Sequence, residues 1–157
     1  MFGYLTVADS VALPLRYHHD CPPEEALPMA MALLDWMELA ENAADSPMNL
    51  GSSRQQRVGL ARAMALKPDL LFLDEPLAGM GWGHRQWWLD FLDRLTKGAP
   101  QLDGRKVAVI VTTNDFEPWQ GRAVQFATIK DRRWQATGGE IEPPTVDQTV
   151  FRTRTKA

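Results

Sequence analysis

A short apolar run followed at once by two acids constrains this chain most. Leu70–Leu73 contains four large apolar residues in succession, and Asp74 and Glu75 follow it directly. A run this short without a polar face predicts a strand buried on both sides, as in a parallel sheet. The two carboxylates are therefore expected at the carboxyl end of a buried strand, the edge where open α/β sheets bind their ligands.

Asp74 and Glu75 are residue types suited to magnesium and water chemistry. An aspartate at the end of such a strand can hold Mg²⁺ beside a phosphate group. A glutamate just beyond it can orient or deprotonate an attacking water. The structural alternative is a strand that ends in a solvated acidic turn, and the acidic pattern alone leaves both interpretations open.

The periodicity of the remaining chain predicts a helical region followed by α/β elements. Thr6 is a candidate N-cap with Asp9 three residues later, and Pro14 is expected to end or bend that helix. Apolar residues at helical spacing predict a second helix with a buried stripe of Leu27, Met31, Leu34 and Met37. The order after it is a helix over 55–65, a strand over 70–73, a helix over 84–97, a strand over 106–111, and a hairpin of 124–129 with 133–137.

Charge and cysteine content exclude several classes of function. Lys and Arg number 17 against 20 Asp and Glu, a net charge of -3, so the chain lacks the basic excess that nucleic-acid binding requires. The single cysteine, Cys21, excludes an internal disulfide and a cysteine-rich zinc site. No stretch reaches the roughly 20 apolar residues that cross a bilayer, and the first ten residues lack signal-peptide features. We expect a cytoplasmic chain that binds no nucleic acid.

The two acids belong to a longer block that resembles a known family. Residues 50–79 read LGSSRQQRVGLARAMALKPDLLFLDEPLAG. This block resembles the ATP-binding cassette (ABC) family, in which a signature loop LSGGQ leads into a QQR-containing helix and then a PDLLLLDEP stretch. The segment Leu5–Leu15 and the hairpin around Lys130-Asp131-Arg132 also resemble the family, so the resemblance covers nearly all of Leu5–Gly138. The segment LTVADSVALPLRYH is similar to cassettes that serve lipid or hydrophobic-solute systems.

The resemblance implies an α/β chain with part of the P-loop NTPase (ABC cassette) fold. Residues 1–49 would be the helical subdomain that follows the Q-loop. Residues 50–138 would carry the signature helix, the Walker B strand, the D-loop, the switch-loop strand and a closing hairpin. Residues 139–157 would be a tail, whose end at Phe151–Ala157 is expected to fray. Trp36, Trp88 and Trp134 are expected to be core or sheet-packing residues.

The resemblance also implies roles for individual residues. Asp74 would hold Mg²⁺ through water, Glu75 would be the general base, and Asn114 stands at the position of the switch-loop histidine. The signature loop would face the γ-phosphate of ATP bound by the opposite subunit, and Gly81 would end the D-loop at the dimer seam. ATP and Mg²⁺ are the implied cofactors. A second cassette in a head-to-tail dimer and a transmembrane permease at the inner membrane face are the implied partners. The signature-loop residues are Gly51, Ser52, Ser53, Arg54 and Gln55.

Four departures from the family pattern bear on activity. No G-x-x-x-x-G-K-S/T occurs among the 157 residues. Ser52 and Ser53 replace two glycines, which would cost energy if those positions needed a positive φ. Gly81 replaces an aspartate, and Asn114 can donate to a phosphate oxygen but cannot titrate. Two functions therefore remain: the ATPase subunit of an ABC transporter as a truncated cassette, which should not hydrolyse ATP alone, or a catalytically silent interaction or regulatory module.

The strand predicted over 106–111 raises a question of solubility. In the family the strand that carries the phosphate loop lies beside it. Without that strand, the apolar run 107–111 is expected to present an open edge that pairs with other chains. We therefore expect the isolated chain to be oligomeric or poorly soluble.

Overall fold

The computed structural model describes residues 5–137 and the backbone of residues 149–153. The chain folds into two compact units, Met1–Pro68 and Asp69–Ala157. These units are defined by spatial packing, whereas the division at 49 and 138 follows the family's motifs and stays a prediction. The helices are α1 Val7–His18, α2 Pro23–Trp36, α3 Ser52–Met64 and α4 Trp82–Lys97, and the strands are β1 Leu70–Asp74, β2 Ala108–Thr113, β3 Gln125–Lys130, β4 Arg133–Thr137 and β5 Thr149–Thr153.

Helix α1 begins at the predicted cap and continues past the predicted stop. Thr6 Oγ1 accepts a hydrogen bond from Asp9 N at 3.1 Å, and the Asp9 carboxylate accepts one from Thr6 N, which completes a capping box. The helix includes Pro14 and ends only at His18, so Pro14 does not end it, and the predicted alternative of a bend stays a prediction. Buried side chains on both sides of the proline, Val11 and Leu15, hold the helix together despite the lost N–H donor.

Helix α2 buries small side chains where a large apolar stripe was predicted. Ala26 and Ala30 are buried, each one position before a predicted residue, while Leu27 and Met31 are 36% and 38% exposed. The predicted buried stripe is therefore wrong at Leu27 and Met31 and confirmed at Leu34 and Met37. Helix α2 packs on α1, and alanines at i and i+4 let two helices approach closely.

The second unit is built on a five-stranded sheet of order β1-β2-β5-β3-β4. Strands β1 and β2 are parallel, with Leu70 opposite Ala108 and Asp74 opposite Thr112, and the other neighbours are antiparallel. Helix α4 packs on β2 and ends at Gly98, whose φ of 102° suits glycine. The predicted α/β fold class is confirmed.

The predicted hairpin is β3 and β4. Its two turn residues, Asp131 and Arg132, have φ of 53° and 60°. Two successive left-handed residues are typical of the type I′ turn, whose twist matches that of antiparallel strands.

Strand β5 corrects two predictions at once. Phe151–Thr153 was expected to fray, but it belongs to a strand that lies between β2 and β3 and pairs with both. Residues 154–157 of the predicted tail lie outside the described part of the chain. Because β5 covers one side of β2 and β1 the other, the open edge predicted for β2 is wrong. An apolar strand whose N–H and C=O groups need partners is thereby paired on both sides.

Strand β1 is one of the two edge strands of the described sheet, and it is not buried on both faces as predicted. Leu71 is buried, whereas Leu70 and Phe72 are 43% and 67% exposed. Alternate residues of a strand face opposite sides of its sheet, so one face of β1 is covered and the other is open. Trp36 and Trp88 are buried as expected, whereas Trp134 is half-exposed in β4, which excludes the core and leaves the predicted sheet-packing position.

No helix in the described part of the chain has both the length and the apolar character needed to cross a membrane.

Candidate functional site

The carboxyl ends of β1 and β2 bring the predicted acids beside the predicted switch loop. Because Asp74 lies opposite Thr112 in a parallel pair, the residues that follow both strands emerge at one edge of the sheet. Glu75 N donates to Thr112 O at 2.9 Å, which extends the pairing one step beyond β1. Of the predicted site residues, the structure thus brings Asp74, Glu75 and Asn114 together.

Asp74 is exposed at this edge and has one hydrogen-bond partner in β2. The Thr112 hydroxyl donates to Asp74 Oδ1. No cluster of three or more His, Cys, Asp or Glu side chains suited to a metal exists among the described residues. At this edge Asp74 offers an exposed carboxylate. This donor set fits Mg²⁺, which takes one or two carboxylates and completes its shell with waters and substrate phosphates.

Both carboxylate oxygens of Glu75 accept hydrogen bonds, one from the last residue of β2 and one from the residue after it. Asn114 N donates to Glu75 Oε1 at 2.7 Å, and Thr113 Oγ1 lies 3.2 Å from Glu75 Oε2. Glu75 itself has a φ of 43°, in the left-handed region that non-glycine residues seldom occupy. Such backbone conformations persist where surrounding contacts hold them, and they concentrate at functional sites.

The loop after β2 is tied back on itself and to α4. Thr113 is 5% exposed, and its hydroxyl oxygen accepts a hydrogen bond from Asp115 N at 3.1 Å. Arg85 Nη1, from the first turn of α4, lies 3.4 Å from Asp115 Oδ2. Sequence reasoning missed Thr113 and Arg85, since their contacts depend on strand register and helix placement. The adjacent threonines before Asn114 were the available signal.

The predicted signature loop forms the start of α3. Gly51 is the N-cap with extended backbone, and Ser52 and Ser53 are helical. Neither serine has a positive φ, so the replaced glycines leave no backbone strain here. Gln55 Nε2 donates to Leu50 O at 2.9 Å, which fastens the chain before the helix. The first N–H groups of a helix lack helical acceptors and suit an anion, so the predicted phosphate contact remains chemically reasonable.

The predicted site is distributed over both units. Gly51–Gln55 belongs to the first unit, and Asp74, Glu75, Gly81 and Asn114 belong to the second. Gly81 is the N-cap of α4 with a φ of -68°, and a Cβ built on it meets no atom within 4 Å. The aspartate that the family pattern has at this position would therefore fit.

A buried cation anchors α3 within the first unit. Arg57 Nη1 lies 3.1 Å from Glu38 Oε2 and 3.4 Å from Met37 O. Burial lowers the pKa of Arg57 from its usual value, while the hydrogen bond to Glu38 raises it. Burial thus disfavours the charged form of Arg57, and the contact with Glu38 offsets part of that cost.

Comparisons with known proteins agree on one family. A family model described as "ABC transporter" matches residues 4–78. The spermidine/putrescine import ATP-binding protein PotA of Vibrio cholerae is 35% identical over 142 residues, which cover 90% of this chain and 34% of that protein. The methionine import ATP-binding protein MetN of Cutibacterium acnes is 32% identical over 129 residues, which cover 82% of this chain and 33% of that protein. The chain therefore spans about a third of the length of these curated relatives.

A solved structure of an ABC cassette resembles the chain as well. The dimeric, post-hydrolysis ATP-binding cassette MJ0796 bound to ADP and Pi has a TM-score of 0.60 and 29% identity. The match covers 75% of this chain and 50% of that chain.

Proposed function

This chain belongs to the ABC transporter ATP-binding family, and we propose that it is part of a subunit that binds and hydrolyses ATP to drive transport. The observation that carries the proposal is the pair of acids at the carboxyl edge of β1, where Glu75 is held by two hydrogen bonds beside Asp74. A solvated acidic turn would not need both oxygens of a carboxylate to be engaged.

Each residue at this edge has a separate task in the proposed reaction. Asp74 would hold Mg²⁺ through water, and the ion would neutralise charge on the transferred phosphate. Glu75 would orient the hydrolytic water and take its proton. The Asn114 side chain would donate to a phosphate oxygen, although it cannot carry a proton away.

The remaining roles concern the second subunit. Gly51–Gln55, at the start of α3, would meet the γ-phosphate of ATP held by a second cassette in a head-to-tail dimer. The dimeric state of MJ0796 supports such a partner. Gly81 would lie at the seam between the two subunits.

A membrane permease at the cytoplasmic face is the proposed transport partner. The relatives named above are import ATP-binding proteins, which supports a transport function. Their names differ in solute, methionine in one and spermidine or putrescine in the other. The solute is therefore left out of the proposal, and the lipid or hydrophobic-solute type remains a prediction from the segment 5–18.

The test is the substitution Glu75→Gln in a completed unit, in which the chain is joined to an upstream segment carrying G-x-x-x-x-G-K-S/T. Glutamine can accept a hydrogen bond but not a proton, so kcat should fall about 100-fold or more while ATP binding is kept. Glu117→Gln, the same change at an exposed glutamate of the same unit, should leave kcat unchanged. An unchanged kcat in Glu75→Gln would overturn the proposal. A completed unit that binds ATP without hydrolysing it would favour the silent interaction module instead.

A further inference from the structure

We propose that Thr113 and the Arg85–Asp115 ion pair are positioning residues that fix the orientation of the Glu75 carboxylate. The proposal rests on the role suggested above for Glu75. It adds a mechanism by which α4, the helix that follows the acids, controls the geometry of that side chain.

The two carboxylate oxygens of Glu75 each have a hydrogen-bond partner. One accepts from Asn114 N and the other lies within hydrogen-bond distance of Thr113 Oγ1, so two consecutive residues at the end of β2 contact both. Two contacts from adjacent residues fix the plane of the carboxylate, whereas a single contact would leave it free to rotate. A general base has to be held in reach of its water, so this fixed plane is a functional requirement.

The hydroxyl of Thr113 lies between Glu75 and Asp115. It has one proton, and two acceptors compete for it: Glu75 Oε2 at 3.2 Å and Asp115 O at 3.0 Å. The same oxygen accepts from Asp115 N. Any movement of Asp115 therefore changes which acceptor the proton serves, and so changes how firmly Glu75 is held.

Asp115 is held in turn by an ion pair with Arg85. Arg85 Nη1 lies 3.4 Å from its carboxylate, and both side chains are partly exposed. An exposed ion pair contributes little to global stability. Its removal should therefore act locally, on the loop at 113–115, and leave the fold intact.

Thr112 and Thr113, although adjacent, contact different acids. Thr112 serves Asp74 and Thr113 serves Glu75, and consecutive residues of β2 face opposite sides of the sheet. Each acid thus has its own hydroxyl partner. Loss of Thr113 should disturb the base without disturbing the residue proposed to hold Mg²⁺.

The first experiment uses the 157-residue chain without nucleotide and follows the Asn114 amide proton by NMR. Losing one hydrogen bond to a charged group should raise its exchange rate with water about tenfold in Thr113→Val and in Arg85→Gln. Thr113→Ser, which keeps the hydroxyl, should stay close to the unchanged chain. Arg105→Gln is the matched control, because Arg105 Nη1 lies 3.4 Å from Asp69 Oδ1 in the same unit, and it should have no effect on Asn114. Amide shifts of α4 show whether each variant keeps the fold.

The second experiment uses the completed unit. Thr113→Val and Arg85→Gln should lower kcat about tenfold with KM for ATP unchanged, and Thr113→Ser should restore most of it. Because partial unfolding would also lower the apparent kcat at constant KM, the folded fraction of each variant is measured by circular dichroism and kcat is expressed per folded protein. An Asn114 amide that is unaffected in both Thr113→Val and Arg85→Gln overturns the proposal. If that amide responds but Glu75→Gln still hydrolyses ATP, the positioning contacts stand and the role of Glu75 as base is wrong.

Discussion

Phe72 lies opposite Ile110 in the parallel pair of β1 and β2, and it is 67% exposed in the middle of the most apolar segment of the chain. Leu70, two residues earlier, lies on the same face and is also exposed. One face of β1 is therefore an open apolar surface of this unit, and the edge of β2 is not.

Phe72→Thr should raise the solubility of the chain with little change in its unfolding temperature. Threonine is β-branched, which suits a strand, and the substitution removes exposed aromatic surface. Sedimentation velocity and thermal unfolding measure the two effects. A variant that remains as aggregated as the unchanged chain would place the self-associating surface elsewhere.

Val109→Lys should destabilise the fold without improving solubility. Val109 is 2% exposed and lies in β2, which is paired on both sides. Burying an unpaired ammonium there should cost several kcal/mol, about 3 or more. Chemical unfolding measures the loss. Increased solubility with unchanged stability would mean that β2 has an open edge after all.

Removal of β5 should separate the β3–β4 hairpin from β2. A chain that ends at Gln148 loses the only described strand between them, whereas a chain that ends at Thr153 keeps it and serves as the control. We expect the shorter chain to lose protection of β2 amides against hydrogen exchange, because those groups lose their partners. Equal protection in the two chains would contradict a β2–β5 pairing.

Local sequence patterns were sufficient to predict strand β1 and the acids at its end. The burial of each strand face and the pairing of β5 depend on residues that are distant in the chain. Leu70–Asp74 is a strand as predicted, because its apolar run and the following turn are local signals. The exposure of Phe72 depends on which elements cover each face, and no local pattern reports that. Strand β5 was missed for the same reason, since its partners lie about 25 and 40 residues away in the chain.

In the candidate site, too, some residues were predicted from the sequence and others required the structure. Asp74, Glu75 and Asn114 were assigned through the family resemblance and the rule that ligands bind at the carboxyl ends of strands. Thr113 could not be assigned to Glu75, because the contact depends on the register that sets Asp74 opposite Thr112. Arg85 required the position of α4 as well.

The Arg57–Glu38 pair should couple in a double-mutant cycle. Glu38→Gln removes the charge that faces a buried guanidinium and should cost about 1 kcal/mol, since Glu38 itself is largely exposed. In the background of Arg57→Met, which removes the buried charge but keeps an unbranched apolar side chain, the same change should cost almost nothing. Urea unfolding measures all four corners. Equal costs in both backgrounds would show that the pair does not stabilise α3.

The chain by itself should bind ATP weakly, and only with Mg²⁺. Its candidate edge presents the carboxylates of Asp74, Glu75 and Asp115, of which Asp115 is paired with Arg85, so free nucleotide phosphates meet negative charge at Asp74 and Glu75. A bound Mg²⁺ would reverse that balance locally. The backbone cradle and lysine of a G-x-x-x-x-G-K-S/T loop, which supply most phosphate contact, do not occur in these 157 residues. Isothermal titration with Mg-ATP should give a Kd of about 1 mM or weaker, roughly -4 kcal/mol, and Asp74→Asn should abolish what remains. A Kd in the low micromolar range, about -8 kcal/mol, would mean that other residues of the chain bind the phosphates.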